Sequence, residues 1–227
     1  TVETRRMGGA FGGKESQGNL PALTAALAAH LTGRPAKTVY DRDDDFMLTG
    51  KRHDFRIDYE VGFDDDGRIK VVFFDQALRC GMSWDLSAAI AARAMCHADN
   101  AYEIPHMQIT SYCCLTHTQS NTAFRGFGGP QGMLGIERVI DAVAHKLGLD
   151  PLIIRQRNFY PEKTAAVHGL THYGQTVTDC IIQPIVEKLV IDSDYESRRA
   201  AIGTFNKSNK YVKRGIALTP VKFGISF

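Results

Sequence analysis

Apolar residues recur along this chain with two different periods, which predict helices and strands in turn. The first helix is marked by leucines three or four residues apart: Leu20, Leu23, Leu27 and Leu31. Gly33 follows them, as is typical where a helix ends. Apolar and polar residues alternate from residue 55 to residue 63 and again at residues 69–73, after the turn signal Asp66-Gly67. This second period predicts an antiparallel β-hairpin.

Three shorter elements are predicted around this hairpin. Residues 38–40 are expected to form a short strand that leads into the acidic run at residues 41–45, which is interpreted as a solvated turn. Asp85 is expected to cap a short alanine-rich helix that carries Arg93, because aspartate is favoured just before a helix. A further strand is predicted for residues 107–115.

The second half of the chain is predicted to be mainly helical. One long helix is predicted between residues 130 and 147, where apolar residues recur at helical spacing. The pair Asp150-Pro151 indicates the start of another helix. Helices are expected again near Thr178 and at residues 193–196, which fit a capping box. A strand is predicted from residue 214 onward.

Mixed helices and largely antiparallel strands place the chain in the α+β class. The periodicity fades between residues 161 and 175, where proline, glycine, histidine and threonine collect. We therefore expect one domain over residues 1–160, a linker over residues 161–175, and the start of a second domain over residues 176–227.

Composition and charge indicate an ordinary globular protein and give no reason to expect nucleic acid or a membrane as a partner. Of the 227 residues, 44% are hydrophobic and 23% are charged, as in ordinary globular proteins. The net charge of +2 gives no electrostatic reason to expect binding to nucleic acid or to a membrane. No apolar run reaches the roughly 18 residues of a spanning helix, and no signal peptide is recognisable. The chain lacks an initiating methionine, so a fragment of a larger protein is expected.

The five cysteines show no Cys-x-x-Cys spacing. Their odd number argues against a disulfide framework. The pattern favours free thiols in a reducing, cytoplasmic compartment, and it argues against iron–sulfur ligation by these residues.

Two glycine-rich loops carry the candidate chemistry. Residues 8–14 have the spacing of a phosphate-binding loop, but Glu15 stands where a hydroxyl side chain would bind magnesium. In residues 124–129, Arg125 lies among glycines, and Gln131 occupies the third glycine position of a dinucleotide-binding fingerprint. Neither loop alone predicts a nucleotide site, although glycines let a backbone approach a ligand closely and point N–H groups at it. The alternative is that these glycines only form sharp turns.

Two further residues are ambiguous when each is considered alone. Arg93 lies in an otherwise apolar run at residues 88–95, so its charge must reach water or a partner. A solvent-facing arginine is the simpler interpretation of this segment. Phe127 alone is expected to belong to the core, as most buried phenylalanines do.

Three segments taken together resemble the molybdenum-cofactor portion of the xanthine dehydrogenase and xanthine oxidase family. They are residues 8–15, 121–131 and 222–227, and Thr49–His53 and Asp85–Ser87 extend the resemblance along the chain. The resemblance is greatest to the molybdenum-binding subunit of a bacterial enzyme. It implies that the two predicted domains are parts of two successive molybdenum-cofactor-binding domains.

The resemblance implies a role for several individual residues. Those expected to contact the cofactor through backbone groups are Phe11, Gly12 and Arg125. Those expected to bind a purine are Glu15 and Arg93, from opposite sides, and Phe127 and Phe227, which would sandwich its ring. Glu15 and Arg93 are also expected to be catalytic, because they orient the purine and Arg93 would stabilise negative charge building on the ring. No residue is expected to bind molybdenum directly, since the pterin cofactor (molybdopterin) holds it.

The implied reaction is molybdenum-dependent hydroxylation of hypoxanthine to xanthine and of xanthine to urate, in purine catabolism, with oxygen from water. The catalytic base, 2Fe–2S clusters, FAD and NAD would lie outside this chain, in the remainder of the molybdenum-binding subunit or in an iron–sulfur and flavin partner. Two catalytic units would form a dimer.

The alternatives are an aldehyde- or N-heterocycle-oxidising relative, and a non-catalytic nucleotide- or anion-binding module using residues 8–14. The pair Glu15 and Arg93 favours the purine, since related aldehyde oxidases generally lack it.

Overall fold

A computed structural model describes residues 1–162 and 169–224 of the chain. The helices of these residues are α1 (Asn19–Thr32), α2 (Arg42–Leu48), α3 (Ser87–Cys96), α4 (Gly129–Leu147), α5 (Pro151–Asn158), α6 (Ile182–Asp192) and α7 (Tyr195–Ser208). The strands are β1 (Phe55–Phe63), β2 (Ile69–Gly81), β3 (His106–Leu115), β4 (Gly169–Leu170) and β5 (Thr176–Val177). This mixture confirms the predicted α+β class. None of these helices is both long and apolar enough to cross a membrane.

The predicted hairpin is confirmed as β1 and β2, which are neighbours in a three-stranded sheet of order β1-β2-β3. Along β1, half-buried and exposed residues alternate, as the sequence predicts. β2 continues beyond the predicted end at residue 73 as far as Gly81. Its buried apolar residues are Ile69, Val72, Phe74, Leu78 and Cys80. The predicted buried period of Ile69, Val71 and Phe73 is therefore wrong after Ile69, because Val71 is half-buried and Phe73 is exposed. Strands β4 and β5 form a separate antiparallel pair.

The chain divides into two compact units, and the first consists of residues 1–58, 75–95 and 109–131. Its core contains four buried residues of β2 and α3: Leu78, Cys80, Ile90 and Ala91. Four half-buried residues pack against them: Phe55, Leu86, Cys113 and Phe127. Burial, together with the neighbouring Cys80, raises the pKa of the Cys113 thiol to about 11. All five cysteines of the chain are free thiols, as predicted.

The second unit consists of residues 59–74, 96–108 and 132–227, of which the described part ends at residue 224. One side of α4 is fully buried, at residues Ile136, Val139, Ile140 and Val143. The buried guanidinium of Arg155 donates to Glu137 Oε2 at 2.6 and 2.9 Å. Tyr102 Oη donates to Glu137 Oε1 at 2.5 Å. These buried charges are therefore paired, as low-dielectric surroundings require.

Two predictions for residues 38–45 are wrong. Residues 38–40 form no strand, and the acidic run is the beginning of α2 instead of a solvated turn. Asp41 Oδ1 accepts a hydrogen bond from Asp44 N–H at 2.8 Å, and Asp44 Oδ2 accepts one from Asp41 N–H at 3.4 Å. This reciprocal pair is a capping box formed by two aspartates, which satisfies N–H groups that the first helical turn leaves unpaired.

Three predictions for the C-terminal part also need correction. The helix expected near Thr178 begins at residue 182. Ser193 ends α6 through its N–H bond to Leu189 O at 2.9 Å, so it cannot cap the next helix. Asp194 precedes α7 with a positive φ of 52° and makes no side-chain cap. Residues 214–224 form no strand, because their backbone is bound by side chains, such as Asn206, instead of by another strand.

The predicted domain boundary at residues 161–175 stays a prediction. The described part of that range contains β4, and residues 163–168 lie outside the described residues. The two compact units are each made of three separate stretches of chain, so they follow a different division from the linear one expected.

Candidate functional site

The two glycine-rich loops contact each other in the first unit. At Gly12 the φ angle is +97°, and a Cβ there would lie 2.6 Å from Ala123 O and 2.8 Å from Phe124 Cα. No side chain fits at that distance, so glycine is required at this position. Two motifs more than a hundred residues apart in sequence therefore form one continuous surface.

The first loop presents an exposed ring and unbonded backbone donors. Phe11 has a φ angle of +50°, which is unusual for a phenylalanine, and its side chain is 71% exposed. Within the described residues, the backbone N–H groups of Phe11, Gly12 and Gly13 donate no hydrogen bond. The Lys14 ammonium donates to Gly9 O across the loop. The loop can thus offer several N–H groups to a ligand.

The second loop is fixed against helix α3. A Cβ at Gly128 would lie only 2.1 Å from Ile90 O, and the φ angle of Gly128 is +95°. Phe127 also has a positive φ of 50°, and its N–H donates to Phe124 O at 2.8 Å. Its half-buried ring packs against the core cluster that includes Ile90. The loop therefore holds one ring in a defined position.

Arg125 and Arg52 lie where the loops meet. The exposed guanidinium of Arg125 lies 5.5 Å from the centre of the Phe11 ring. Arg125 O accepts a 2.6 Å hydrogen bond from Arg52 Nη2, and the Arg52 guanidinium stacks 4.5 Å above the Phe124 ring. Burial lowers the pKa of Arg52. No role for Arg52 was evident from the sequence; in the structure its bond to Arg125 O fixes the backbone of the second loop.

Arg93 is buried, so its interpretation as a solvent-facing side chain is wrong. It lies on α3 with only 9% of its surface exposed, between Ile90 and the fully buried Ala94. The second loop contacts the same turn of the helix, since a Cβ at Gly128 would lie 3.1 Å from Ala94 N. A buried guanidinium is a strong donor for a ligand with a carbonyl or anionic oxygen.

Glu15 lies on the exposed side of the first loop. Its carboxylate makes no ion pair with any described residue, and the residue is exposed. The next residue, Ser16, is bonded to Asp85, which precedes α3. Glu15 is thus a charge available to a ligand, on a segment attached to the helix of Arg93.

Asp85 joins the segments of the site through four hydrogen bonds. Its Oδ2 accepts from Ser16 Oγ at 2.7 Å and Gln17 Nε2 at 2.9 Å. Its Oδ1 accepts from Thr122 Oγ1 at 2.8 Å and Leu86 N–H at 2.7 Å. Burial opposes ionisation, but these bonds outweigh it and lower the pKa of Asp85. The prediction that Asp85 caps α3 is wrong, because the N–H that it binds belongs to Leu86, which precedes the helix. The carbonyl oxygen of Leu86, not that of Asp85, accepts the bond from Ile90 N–H at the start of α3.

His53 is a buried residue that contacts the start of α3 and the start of α4. It is 1% exposed, its Nε2 lies 2.8 Å from Ser87 Oγ, and its carbonyl oxygen accepts from Gln131 Nε2 at 3.0 Å. Burial lowers the pKa of His53, which favours the neutral imidazole. Gln131, which excluded a dinucleotide fingerprint, therefore has a structural use.

The structure brings six of the seven predicted site residues into the first unit: Phe11, Gly12, Glu15, Arg93, Arg125 and Phe127. The contact between Phe11 and Arg125 joins two of the residues expected to contact the cofactor. Phe127 and Arg93 are both placed by α3. Phe227 lies outside the described residues. The individual roles of these residues stay predictions.

Comparison with known proteins gives one family and many relatives. The family described as Molybdopterin cofactor-binding domain matches residues 1–159. A xanthine dehydrogenase of Oryza sativa subsp. japonica is 44% identical over 99% of this chain, and a xanthine dehydrogenase/oxidase of Gallus gallus is 42% identical over 100% of it. The chain spans 16% of the length of each of these relatives.

Solved structures share the fold. An aldehyde oxidoreductase from Desulfovibrio gigas is 26% identical, with a TM-score of 0.75 over 90% of this chain and 21% of that chain. A CO dehydrogenase from Oligotropha carboxidovorans has a TM-score of 0.77 over 91% of this chain and 26% of its own. The latter is 21% identical, so its similarity concerns the fold alone.

Proposed function

Because this chain belongs to the molybdopterin cofactor-binding domain family, we propose that it supplies cofactor-contacting and substrate-orienting residues to a molybdenum enzyme that hydroxylates purines. The observation that supports a purine substrate is the buried side chain of Arg93 on α3, the helix against which the Phe127 ring packs. The chain is also 40–44% identical to proteins named xanthine dehydrogenase. The reactions would be hypoxanthine to xanthine and xanthine to urate.

The two loops fit a pterin-bound metal. The N–H groups of Phe11, Gly12 and Gly13 are not used by the described residues, and such donors suit the oxygen and sulfur atoms of an anionic cofactor. The close approach of Gly12 to Ala123 keeps the two backbones together at this point. When bound, the cofactor supplies the oxygen atom transferred to the substrate and accepts the two electrons removed from it. Phe11, Gly12 and the backbone at Arg125 would hold it.

Phe127 and Arg93 would recognise the purine by its shape and its polar edge. A purine is a flat aromatic plate, and a contact with a phenylalanine ring contributes about 0.5–1.5 kcal/mol beyond the area it buries. Arg93 would donate to a ring carbonyl, where negative charge grows during hydroxylation. A buried guanidinium stabilises that charge more in the transition state than in the ground state.

Glu15 would complete the recognition from the exposed side. Its carboxylate can accept from a ring N–H, whereas an aldehyde offers no such donor. A carboxylate on one side and a guanidinium on the other fix the orientation of an asymmetric heterocycle. The pair therefore favours a purine over an aldehyde.

The proposal extends to parts outside this chain, which spans 16% of its curated relatives. A catalytic base, iron–sulfur clusters, FAD and NAD would be supplied by the rest of the protein or by a partner subunit. We also propose a dimer of catalytic units, a cytoplasmic location and a place in purine catabolism.

The test uses the complete, cofactor-loaded protein that contains this chain. We expect xanthine to be oxidised with a higher kcat/KM than benzaldehyde, and Arg93→Met to lower kcat for xanthine by about 10²–10³. Benzaldehyde turnover should change by less than about threefold, since it does not need the donor. Arg79→Met is the matched control, because Arg79 pairs with Asp54 at the surface of the same unit and should leave both rates unchanged.

A second candidate is an aldehyde-oxidising enzyme, which the structural similarity to the Desulfovibrio gigas aldehyde oxidoreductase favours. The same experiment separates the two. If xanthine is a poor substrate, or if Arg93→Met oxidises it as well as before, the purine proposal is wrong. Benzaldehyde as the better substrate would support the second candidate.

A further inference from the structure

We propose that Asp85 is a positioning residue of the purine site, whose carboxylate holds the segments of Glu15, Phe127 and Arg93 in one arrangement. The inference rests on the proposed function, because it concerns how the purine is oriented. Asp85 itself would touch neither substrate nor cofactor. It would act through the residues that do.

The four donors to Asp85 come from three segments, and each segment carries a site residue. Ser16 and Gln17 directly follow Glu15. Thr122 precedes the second loop, which carries Phe127. Leu86 directly precedes α3, which carries Arg93. A single side chain thus connects three parts of the chain that are far apart in sequence.

An ionised carboxylate suits this position better than its amide. Both oxygens of Asp85 accept two hydrogen bonds each, and a charged acceptor makes stronger bonds than a neutral one. An asparagine would place an NH₂ group opposite either Leu86 N–H or Gln17 Nε2, and both are donors. Gln17 cannot reverse its amide without cost, because its Oε1 accepts from Gly50 N–H at 3.0 Å.

The backbone at Asp85 makes asparagine the most informative replacement. The φ angle of Asp85 is +43°, in the left-handed region that aspartate and asparagine tolerate better than most residues. Asp85→Asn therefore keeps the size and the backbone preference, while it removes the charge and replaces one acceptor oxygen with an NH₂ donor.

The second unit offers a matched control at Asp150. Its carboxylate accepts from Leu152 N–H at 2.8 Å and Tyr195 Oη at 3.1 Å, and it pairs with Arg199 Nε at 2.7 Å. These segments carry none of the predicted site residues. Asp150→Asn therefore removes a comparable carboxylate that has a structural role only.

The experiment compares the two variants with the wild type in the complete, cofactor-loaded protein, at matched molybdenum content. The readout is the ratio of kcat/KM for xanthine to kcat/KM for benzaldehyde, because a general loss of folding lowers both rates together. We expect Asp85→Asn to lower this ratio by at least about tenfold, and Asp150→Asn to leave it within about 1.5-fold. Thermal unfolding of both variants would be recorded alongside.

An unchanged ratio in Asp85→Asn, whether both rates fall or neither does, would overturn the positioning role and leave the proposed function intact. If the wild type does not oxidise xanthine, the proposed function fails first and this inference fails with it. Should Asp85→Asn not accumulate as folded protein, Ser16→Ala removes one of the four bonds. It should lower the ratio by about threefold, and an unchanged ratio would again contradict the proposal.

Discussion

The two glycine-rich loops have similar compositions, but the first begins in open space whereas the second is packed against α3. In the first, a Cβ at Gly8 or Gly9 would meet nothing within 4 Å, and the Phe11 ring is 71% exposed. In the second, Gly128 fits against Ile90 O with no room for a side chain. The N–H groups of Phe11, Gly12 and Gly13 in the first loop donate no hydrogen bond within the described residues, whereas the second loop is fixed on α3. Glycine content alone therefore does not distinguish an open loop from a packed one.

The largest expected loss of stability comes from adding a side chain to the second loop, residues 124–129. Gly128→Ala would place a Cβ 2.1 Å from a backbone oxygen and strain a φ angle of +95°. We expect this variant to destabilise the first unit by about 3–5 kcal/mol, the combined cost of overpacking and a left-handed alanine. The midpoint of thermal unfolding of the complete protein measures it. A loss below about 1 kcal/mol would mean that the loop is not fixed as described.

Substitutions of Phe127 test whether the second loop contacts the substrate in addition to packing against the core. Phe127→Ala should destabilise the protein by about 2–3 kcal/mol, because its half-buried ring packs against the core of the first unit. Phe127→Leu keeps most of that packing and should cost less than about 1.5 kcal/mol. Both variants should raise KM for xanthine by about 2–10-fold, since both lose the aromatic face. A normal KM in Phe127→Leu would limit Phe127 to a core role.

The smallest change in stability is expected at the open beginning of the first loop, at Gly8. Gly8→Ala adds a Cβ to a position with no neighbour within 4 Å and without a positive φ. Its unfolding midpoint should correspond to a change within about 0.5 kcal/mol, measured beside Gly128→Ala under the same conditions. If the two variants were equally destabilised, the contrast between the loops would be wrong.

Burial of apolar stripes shows what the sequence could and could not predict about the fold. The period of α1 predicts an apolar face, yet Leu20, Leu23, Leu27 and Leu31 are 50–74% exposed. The same period in α4 marks residues that are fully buried. Periodicity therefore predicts the helix and its apolar side, but not whether another segment covers that side. The first strand of the hairpin was predictable because its alternation reflects one covered face of a sheet. In β2 the run of apolar residues 71–74 did not show which of them are buried.

The wrong predictions of helix starts and of the C-terminal strand have local physical causes. The start of α2 was missed because its capping box uses two aspartates, in a run that also suits a turn. The helix predicted at residues 193–196 begins at Tyr195, but the predicted capping box is absent, because Ser193 ends the preceding helix and Asp194 takes the positive φ. The strand expected after residue 214 has no partner strand among the described residues.

The sequence identifies candidate site residues, whose roles stay predictions, but it does not show how they are connected. Glycines and the motif resemblance identify both loops, whereas the contact of Gly12 with Ala123 and the bonds of Asp85 join residues far apart in sequence. Such pairings leave no periodic signal. Burial of Arg93 was not predictable either, because its own segment permits a solvent-facing side chain.

A structure of the complete, cofactor-loaded protein with xanthine or a slow purine analogue bound would show directly whether Arg93, Phe127 and Glu15 bind a purine. We expect the Arg93 guanidinium within hydrogen-bonding distance of a ring oxygen, about 2.7–3.2 Å, and the Phe127 ring in contact with the purine plane. Glu15 should accept from the opposite edge. A purine bound away from α3, or an Arg93 side chain that makes no contact with it, would contradict the account.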